Sequence, residues 1–151
     1  MTTTAPLLLI TADPSDPLAH LALRYAQAYL KDISANEGVD DDTQTNNNDN
    51  PNTKRTLLNI FFYGDSAHTA NRLRWQSAEQ IDLTKEWQML AERYQLALPV
   101  CVSTALSRGV SDTENGARHQ LDGCNLATGF TLVGLSELAL MMQDDCRIIP
   151  F

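Results

Sequence analysis

The sequence predicts an α/β domain with a mostly parallel central sheet flanked by helices. Two observations lead to this prediction. Short apolar runs alternate along the chain with segments of helical periodicity, and the runs are apolar at consecutive positions. Continuous apolar runs are typical of strands that are covered on both faces, as in parallel sheets. Strands that alternate with helices favour parallel strands joined by right-handed crossovers.

Length and charge limit the range of functions. A chain of 151 residues is a common size for one domain, so we expect a single domain over residues 1–151. The net charge of −8 disfavours direct, non-specific binding to nucleic acid, which needs a basic surface. No apolar run is long enough to span a membrane, and Met1–Pro6 lacks the basic start of a secretory signal. We therefore expect a cytoplasmic protein with three free thiols.

The first predicted strand is the apolar run Pro6–Ala12. Asp16 and Pro17 suit the N-cap and the first position of a helix, which we expect to run to about Lys31. Its predicted apolar stripe consists of Leu18, Leu21, Ala22, Tyr25 and Tyr29. We expect His20 to be a surface or boundary residue of this helix.

Residues 32–55 differ in composition from the rest of the chain. They carry six acidic and two basic residues and are rich in Asn and Asp. Such a segment buries too little apolar surface to offset its ordering entropy, so we expect a flexible loop inserted in the domain. The acidic run Asp40–Asp42 lacks the spacing of an EF-hand loop, which favours a solvated loop over a calcium site.

The run Thr56–Tyr63 predicts the second strand, followed by a short helix over residues 66–73. His68 follows the carboxyl end of this strand, where sites form in open α/β sheets. It is therefore either a polar loop residue, which we favour, or a neighbour of Cys101. Asp82 then caps an amphipathic helix that ends near Gln95, with an apolar stripe of Leu83, Trp87, Leu90, Ala91 and Tyr94.

The third apolar run, beginning at Leu96, ends in Cys101, and small residues and Arg108 follow. This pattern predicts a buried strand that places Cys101 at the carboxyl edge of the sheet, where a short helix begins. The positive end of a helix dipole, and secondarily Arg108, would favour a thiolate there. The residues alone leave open whether Cys101 reacts or only packs. For Cys124 and Cys146 we favour simple packing.

The rest of the chain predicts two helices and a last strand. Ser111 and Glu114 fit a capping box for a helix that ends near His119. Gly134–Gln143 predicts another helix with Leu135, Leu138, Ala139 and Met142 facing inward, and Cys146–Phe151 predicts the closing strand.

Several kinds of site have no support in the sequence. The chain has no glycine-rich nucleotide-binding motif and no GxSxG elbow. Its three histidines and three cysteines lack metal-ligand spacing, so we expect no metal site. Cys101 and Arg108 are seven positions apart, one more than the loop of tyrosine phosphatases requires.

The sequence resembles the TusD proteins of the DsrE-like family over nearly the whole chain except residues 32–55. The resemblance is carried by Phe61–Tyr63, the helix from Asp82 to Trp87, Leu98–Val102, Ala105–Val110, Gly129–Leu132 and Gly134–Leu135. It implies a DsrE-like three-layer fold and places the active cysteine of the family at Cys101.

The resemblance also implies a function and partners. TusD proteins are sulfurtransferases that form a heterohexamer with TusB and TusC. They receive persulfide sulfur from TusA and pass it to TusE, towards 2-thiouridine at the tRNA wobble position. Such a relay needs no cofactor, and we expect its single cysteine to be exposed. The alternatives are a non-catalytic assembly subunit, in which Cys101 is buried, and a free-standing small-molecule binding module.

Overall fold

A computed structural model describes residues 4–37, 56–143 and 145–151. Its strands are β1 (Leu7–Ile10), β2 (Asn59–Phe62), β3 (Leu98–Cys101), β4 (Phe130–Val133) and β5 (Ile148–Pro150). Its helices are α1 (Pro17–Glu37), α2 (Leu83–Tyr94), α3 (Val102–Ser107), α4 (Thr113–Arg118) and α5 (Leu135–Met141), and a 3₁₀ helix spans Gly64–Ala70. The predicted alternation of strands and helices is confirmed.

All the strands pair in parallel, in the order β4-β3-β2-β1-β5. The carboxyl ends of β1, β2 and β3 therefore meet at one edge of the sheet, as predicted. β4 was not among the predicted strands. Its signal is a short run of aromatic and β-branched residues between Gly129 and Gly134, which is typical of a strand bounded by turns.

Helix α1 begins as predicted and ends later. Asp16 Oδ1 accepts a hydrogen bond from the Leu18 amide at 2.8 Å, which fits its role at the helix start. The helix continues to Glu37 because residues 32–37 contain neither proline nor glycine. The first part of the predicted loop 32–55 is thus helical, and residues 38–55, with Asp40–Asp42, lie outside the described residues.

The larger part of the core lies on the face of the sheet that α1 and α2 cover. From α1 it takes Ala19, Ala22, Leu23, Ala26 and Leu30, while Leu18 and Leu21 are exposed, so the predicted stripe was wrong at those two positions. The buried α1 residues recur at intervals of three or four, which is the spacing of one helix face. The face of α1 that packs on the sheet is therefore rotated from the predicted one. Three of its five buried residues are alanines, which the prediction from large apolar side chains underweighted.

An aromatic cluster joins β2, α2 and β4 on this face. Phe62 meets Trp87 edge to face, with the ring centroids 5.6 Å apart, and meets Phe130 at 5.5 Å. Such pairs contribute about 0.5–1.5 kcal/mol each beyond the area they bury. Trp87 is 1% exposed, which confirms it as a core residue rather than part of a ligand site.

The opposite face carries a smaller cluster. Leu7, Phe61 and Cys101 are buried there, and Leu138 and Met141 of α5 pack against the cluster. α5 has no fully buried residue. Of the four residues predicted to face inward, Leu138 packs against the cluster, whereas Leu135, Ala139 and Met142 are exposed. The prediction was wrong for these three because a seven-residue helix turns few of its side chains towards the sheet.

The start of α4 is one residue later than predicted. Asp112 is the N-cap, and its Oδ1 accepts a hydrogen bond from the Asn115 amide at 2.8 Å. Ser111 instead donates its hydroxyl to the Asp112 carbonyl oxygen at 3.0 Å. Aspartate is at least as good a cap as serine, so the later start still satisfies an orphan amide of the first turn, that of Asn115 rather than that of Glu114.

The cap of α2 provides a test of the local energetics. Asp82 Oδ1 accepts a hydrogen bond from the Lys85 amide, and its Oδ2 lies 3.5 Å from Lys85 Nζ. We expect Asp82→Ala to lower the free energy of unfolding by about 1 kcal/mol, because it removes the cap. Lys85→Ala removes only the exposed ion pair and should cost less than about 0.5 kcal/mol. Urea denaturation compares the two, and equal losses would contradict a dominant cap.

Candidate functional site

Cys101 stands where a central strand becomes a helix. It is the last residue of β3 and the N-cap of α3, and its side chain makes no capping hydrogen bond. The predicted position at the carboxyl edge of the sheet is therefore confirmed. β3 is a buried strand of the sequence Leu-Pro-Val-Cys, and it lies between β2 and β4.

The thiol is not exposed, contrary to expectation. Cys101 has 1% of its surface accessible. The reason is the alternation of side chains along β3: Val100 points into the larger core, so Cys101 points to the opposite face, with Leu7 and Phe61. On that face it lies beside Val133, its register partner on β4.

The sheet register keeps Cys101 away from Cys146. Val100 is level with Phe62 and Ile10, whereas Ile148 is level with Leu7. Cys101 and Cys146 are thus about six residues apart along the strands and three strands apart across the sheet, or about 25 Å. Cys146 Sγ instead faces the Ala5 carbonyl oxygen at 3.8 Å. The two thiols therefore do not form a dithiol pair.

Thr104 ties Cys101 to the end of the neighbouring strand. Its hydroxyl donates to the Cys101 carbonyl oxygen at 3.3 Å and accepts from the Gly64 amide at 3.2 Å. Gly64 has φ +66°, a conformation that glycine adopts without strain, and begins the 3₁₀ helix after β2. Thr104 was not predicted as a site residue, and its only sequence signal is its place three residues after Cys101.

Arg108 is bound to the same neighbouring segment. Its Nε and Nη2 each lie 2.9 Å from Asp65 Oδ1, and its Nη1 donates to the Thr104 carbonyl oxygen at 3.1 Å. The guanidinium charge is thus paired with a carboxylate, and the side chain holds α3 against the 3₁₀ helix. A direct role of Arg108 on the thiolate stays a prediction.

His68 lies in the 3₁₀ helix and is half-buried. Its charge acts on Asp13, which follows β1. Burial raises the pKa of Asp13, but hydrogen bonds from Ser15 and the charges of His68 and Arg74 outweigh it and hold the pKa below the ordinary 3.8. The approach of His68 to Cys101 stays a prediction.

The two other cysteines differ from each other in burial. Cys124 is exposed, so the prediction that it only packs in the interior was wrong. Its sulfur accepts a hydrogen bond from the Thr113 hydroxyl at 3.5 Å. Cys146 is half-buried and packs against the smaller cluster, as predicted.

The fold and this edge define an α/β domain that presents one cysteine at the end of a central strand. Residues 7–151 match the family described as DsrE/DsrF-like. The chain belongs to the DsrE/DsrF-like family, which confirms the resemblance seen in the sequence.

Individual relatives agree with this assignment. The chain is 43% identical over 95 residues to a protein named Sulfurtransferase TusD from Pectobacterium carotovorum subsp. carotovorum (strain PC1), which covers 63% of this chain and 74% of the relative. It is 38% identical over 96 residues to the Sulfurtransferase TusD homolog of Aliivibrio fischeri, which covers 64% of this chain and 74% of the relative. These matches confirm the resemblance to TusD sulfurtransferases and the transferase class that it implies.

The fold agrees with a solved structure as well. The crystal structure of the ychN protein from E. coli superposes with a TM-score of 0.65, over 97% of this chain and 99% of that one, at 15% sequence identity. At this identity the likeness concerns the fold alone, and it confirms the DsrE-like architecture. Within residues 4–37, 56–143 and 145–151, no helix is both long and apolar enough to cross a bilayer.

Variants of the ion pair between Arg108 and Asp65 can distinguish two roles of Arg108. If Arg108 acts by holding α3, Arg108→Ala and Asp65→Ala break the same contact. Both should then raise the alkylation rate of Cys101 and lower the free energy of unfolding, Asp65→Ala by less than about 1 kcal/mol, since the pair is partly exposed. Iodoacetamide labelling of Cys101 across a pH series measures the alkylation rate and the pH at which that rate is half-maximal. A half-maximal pH that rises in Arg108→Ala and falls in Asp65→Ala would show direct electrostatic action of Arg108 on the thiolate instead.

Proposed function

We propose that this protein is a sulfurtransferase subunit that accepts persulfide sulfur on Cys101 and passes it on. The observation that carries the proposal is the place of Cys101 at the junction of β3 and α3, in a chain whose relatives are named sulfurtransferases. Backbone amides at a helix start favour an anionic sulfur, and the thiolate is the form that attacks.

The reaction needs no oxidant or metal. The Cys101 thiolate attacks the outer sulfur of a donor persulfide, R–S–SH. The donor's S–S bond breaks, the donor leaves as a thiolate, and Cys101 becomes Cys101–S–SH. An acceptor thiolate then attacks the outer sulfur of that group, takes it with its proton, and releases the Cys101 thiolate. Each step exchanges one S–S bond for another, so the electrons balance.

We expect protein partners on both sides of this exchange. The proposed donor and acceptor are a TusA-like and a TusE-like protein, and the subunits that complete a heterohexamer are TusB-like and TusC-like. The sulfur then goes towards 2-thiouridine at the tRNA wobble position, in the cytoplasm. The acidic charge of −8 supports transfer through proteins rather than direct contact with tRNA.

Two further parts of the proposal concern the chain itself. Residues 1–151 are proposed to act as one domain. Arg108 is proposed to support the thiolate by fixing α3, because its guanidinium already pairs with Asp65.

One observation favours a second candidate function. Cys101 is almost fully buried, which is expected of a non-catalytic assembly subunit in a DsrE-like complex. Under the main proposal, the site must open for each exchange, because a thiolate has to reach the outer sulfur. The two functions therefore differ in whether Cys101 takes up sulfur at all.

Sulfur loading of two matched variants distinguishes these functions. Cys101→Ser should lose persulfide uptake from a desulfurase and labelled cysteine, because serine supplies no sulfur nucleophile. Cys124→Ser should load like the wild type, since it alters an exposed thiol outside the strand end. Bound label, counted after gel filtration and released by a reductant, gives the result. Equal loading of Cys101→Ser and the wild type would contradict the proposal and favour the assembly subunit.

A further inference from the structure

Tyr63 is the residue that follows β2, the strand beside β3. Phe62, the last residue of β2, pairs with Val100, and the chain stays extended at Tyr63, with φ −134° and ψ 148°. Because side chains alternate along an extended backbone, Tyr63 follows Phe62 as Cys101 follows Val100, and both are directed to the face opposite the larger core. Val133 of β4 pairs with Cys101 on its other side.

The two flanking residues differ in how far they reach the surface. Val133 is half-buried, whereas Tyr63 is 38% exposed while the cysteine beside it is 1% exposed. The Tyr63 side chain therefore reaches the solvent on the face to which Cys101 is directed, whereas Cys101 does not.

The backbone of Tyr63 is held by groups from several elements. Its amide donates to the Ile10 carbonyl oxygen at 2.9 Å, and its carbonyl oxygen accepts from the Ser66 hydroxyl at 2.9 Å. Ser66 is itself fully buried and also donates to Ile10 at 2.6 Å. The next residue, Gly64, is joined through Thr104 to the carbonyl of Cys101. These bonds fix the position of Tyr63 relative to the thiol.

We propose that the Tyr63 ring closes the solvent side of the Cys101 site and shields sulfur held there from small thiols. The shielding role rests on the proposed function, because it matters only if Cys101 carries sulfur. A persulfide is open to attack by any thiolate that reaches its outer sulfur. A carrier that passes sulfur to a protein partner must keep it from such attack. Tyr63 is not a catalytic residue in this role, because it controls access to the Cys101 sulfur and takes no part in bond formation.

The first test measures access without any sulfur chemistry. Iodoacetamide labelling of Cys101, resolved by peptide mass spectrometry from Cys124 and Cys146, should be roughly tenfold faster in Tyr63→Ala, as expected when a local cover is removed. Tyr63→Phe should label at the wild-type rate, because the ring remains. Met89→Ala, an exposed apolar residue on α2 across the sheet, is the matched control and should not change the rate.

Other outcomes would overturn the proposal. A wild-type labelling rate in Tyr63→Ala would show that the ring does not cover the thiol, and a fast rate in Tyr63→Phe would show that the ring is not the barrier. If Tyr63→Ala does not fold, Tyr63→Val takes its place, because a β-branched residue suits the extended backbone. It should also label faster than the wild type, and a wild-type rate would contradict the proposal.

The second test concerns the carried sulfur. Persulfide on Cys101 should discharge to dithiothreitol faster in Tyr63→Ala or Tyr63→Val than in the wild type, and Tyr63→Phe should match the wild type. Discharge at one rate in all variants would contradict the shielding role. If Cys101 loads no sulfur in any of them, the proposed function fails, while the labelling result still decides whether Tyr63 covers the thiol.

Discussion

The parallel register of β3 with its neighbours is the constraint on which the site depends. It sets which side chains of β3 enter the larger core and which point to the other face. Val100 takes the core position, so Cys101 is turned towards Leu7, Phe61 and α5. A shift of one residue in this pairing would exchange these roles and place the thiol among the aromatic side chains of the larger core. The packing of Phe62 against Trp87 and Phe130 holds the register in place.

The same register creates a conflict between packing and chemistry. A buried thiol adds apolar contacts and is protected, whereas a sulfur carrier needs contact with two other thiols in turn. Two parts of the structure near Cys101 bury little surface: α5 has no fully buried residue, and Tyr63 is partly exposed. Covers with few buried apolar contacts open at low cost in free energy. The fold thus combines a firmly packed strand with neighbouring side chains that bury little apolar surface.

Much of this arrangement follows from the sequence, and the rest depends on tertiary contacts. The apolar run that ends at Cys101 and the cap at Asp82 are local signals, and both predictions were confirmed. The burial of Cys101 and the exposure of Leu18 and Leu21 depend on which helix covers which face, and a linear pattern does not specify this. The hydrogen bond between Gly64 and Thr104 and the pairing of Arg108 with Asp65 join residues that are 40 and 43 positions apart. They have no local signature.

The proposed function depends on Cys101 as the sulfur-bearing residue. Peptide-resolved mass spectrometry of the protein, isolated under non-reducing conditions after loading with a desulfurase and cysteine, identifies the cysteine that bears the sulfur. We expect an adduct of roughly 32 Da, the mass of one sulfur, on the peptide that contains Cys101, and its loss on reduction. An adduct confined to the exposed Cys124, with Cys101 unmodified, would show that Cys101 is not the carrier.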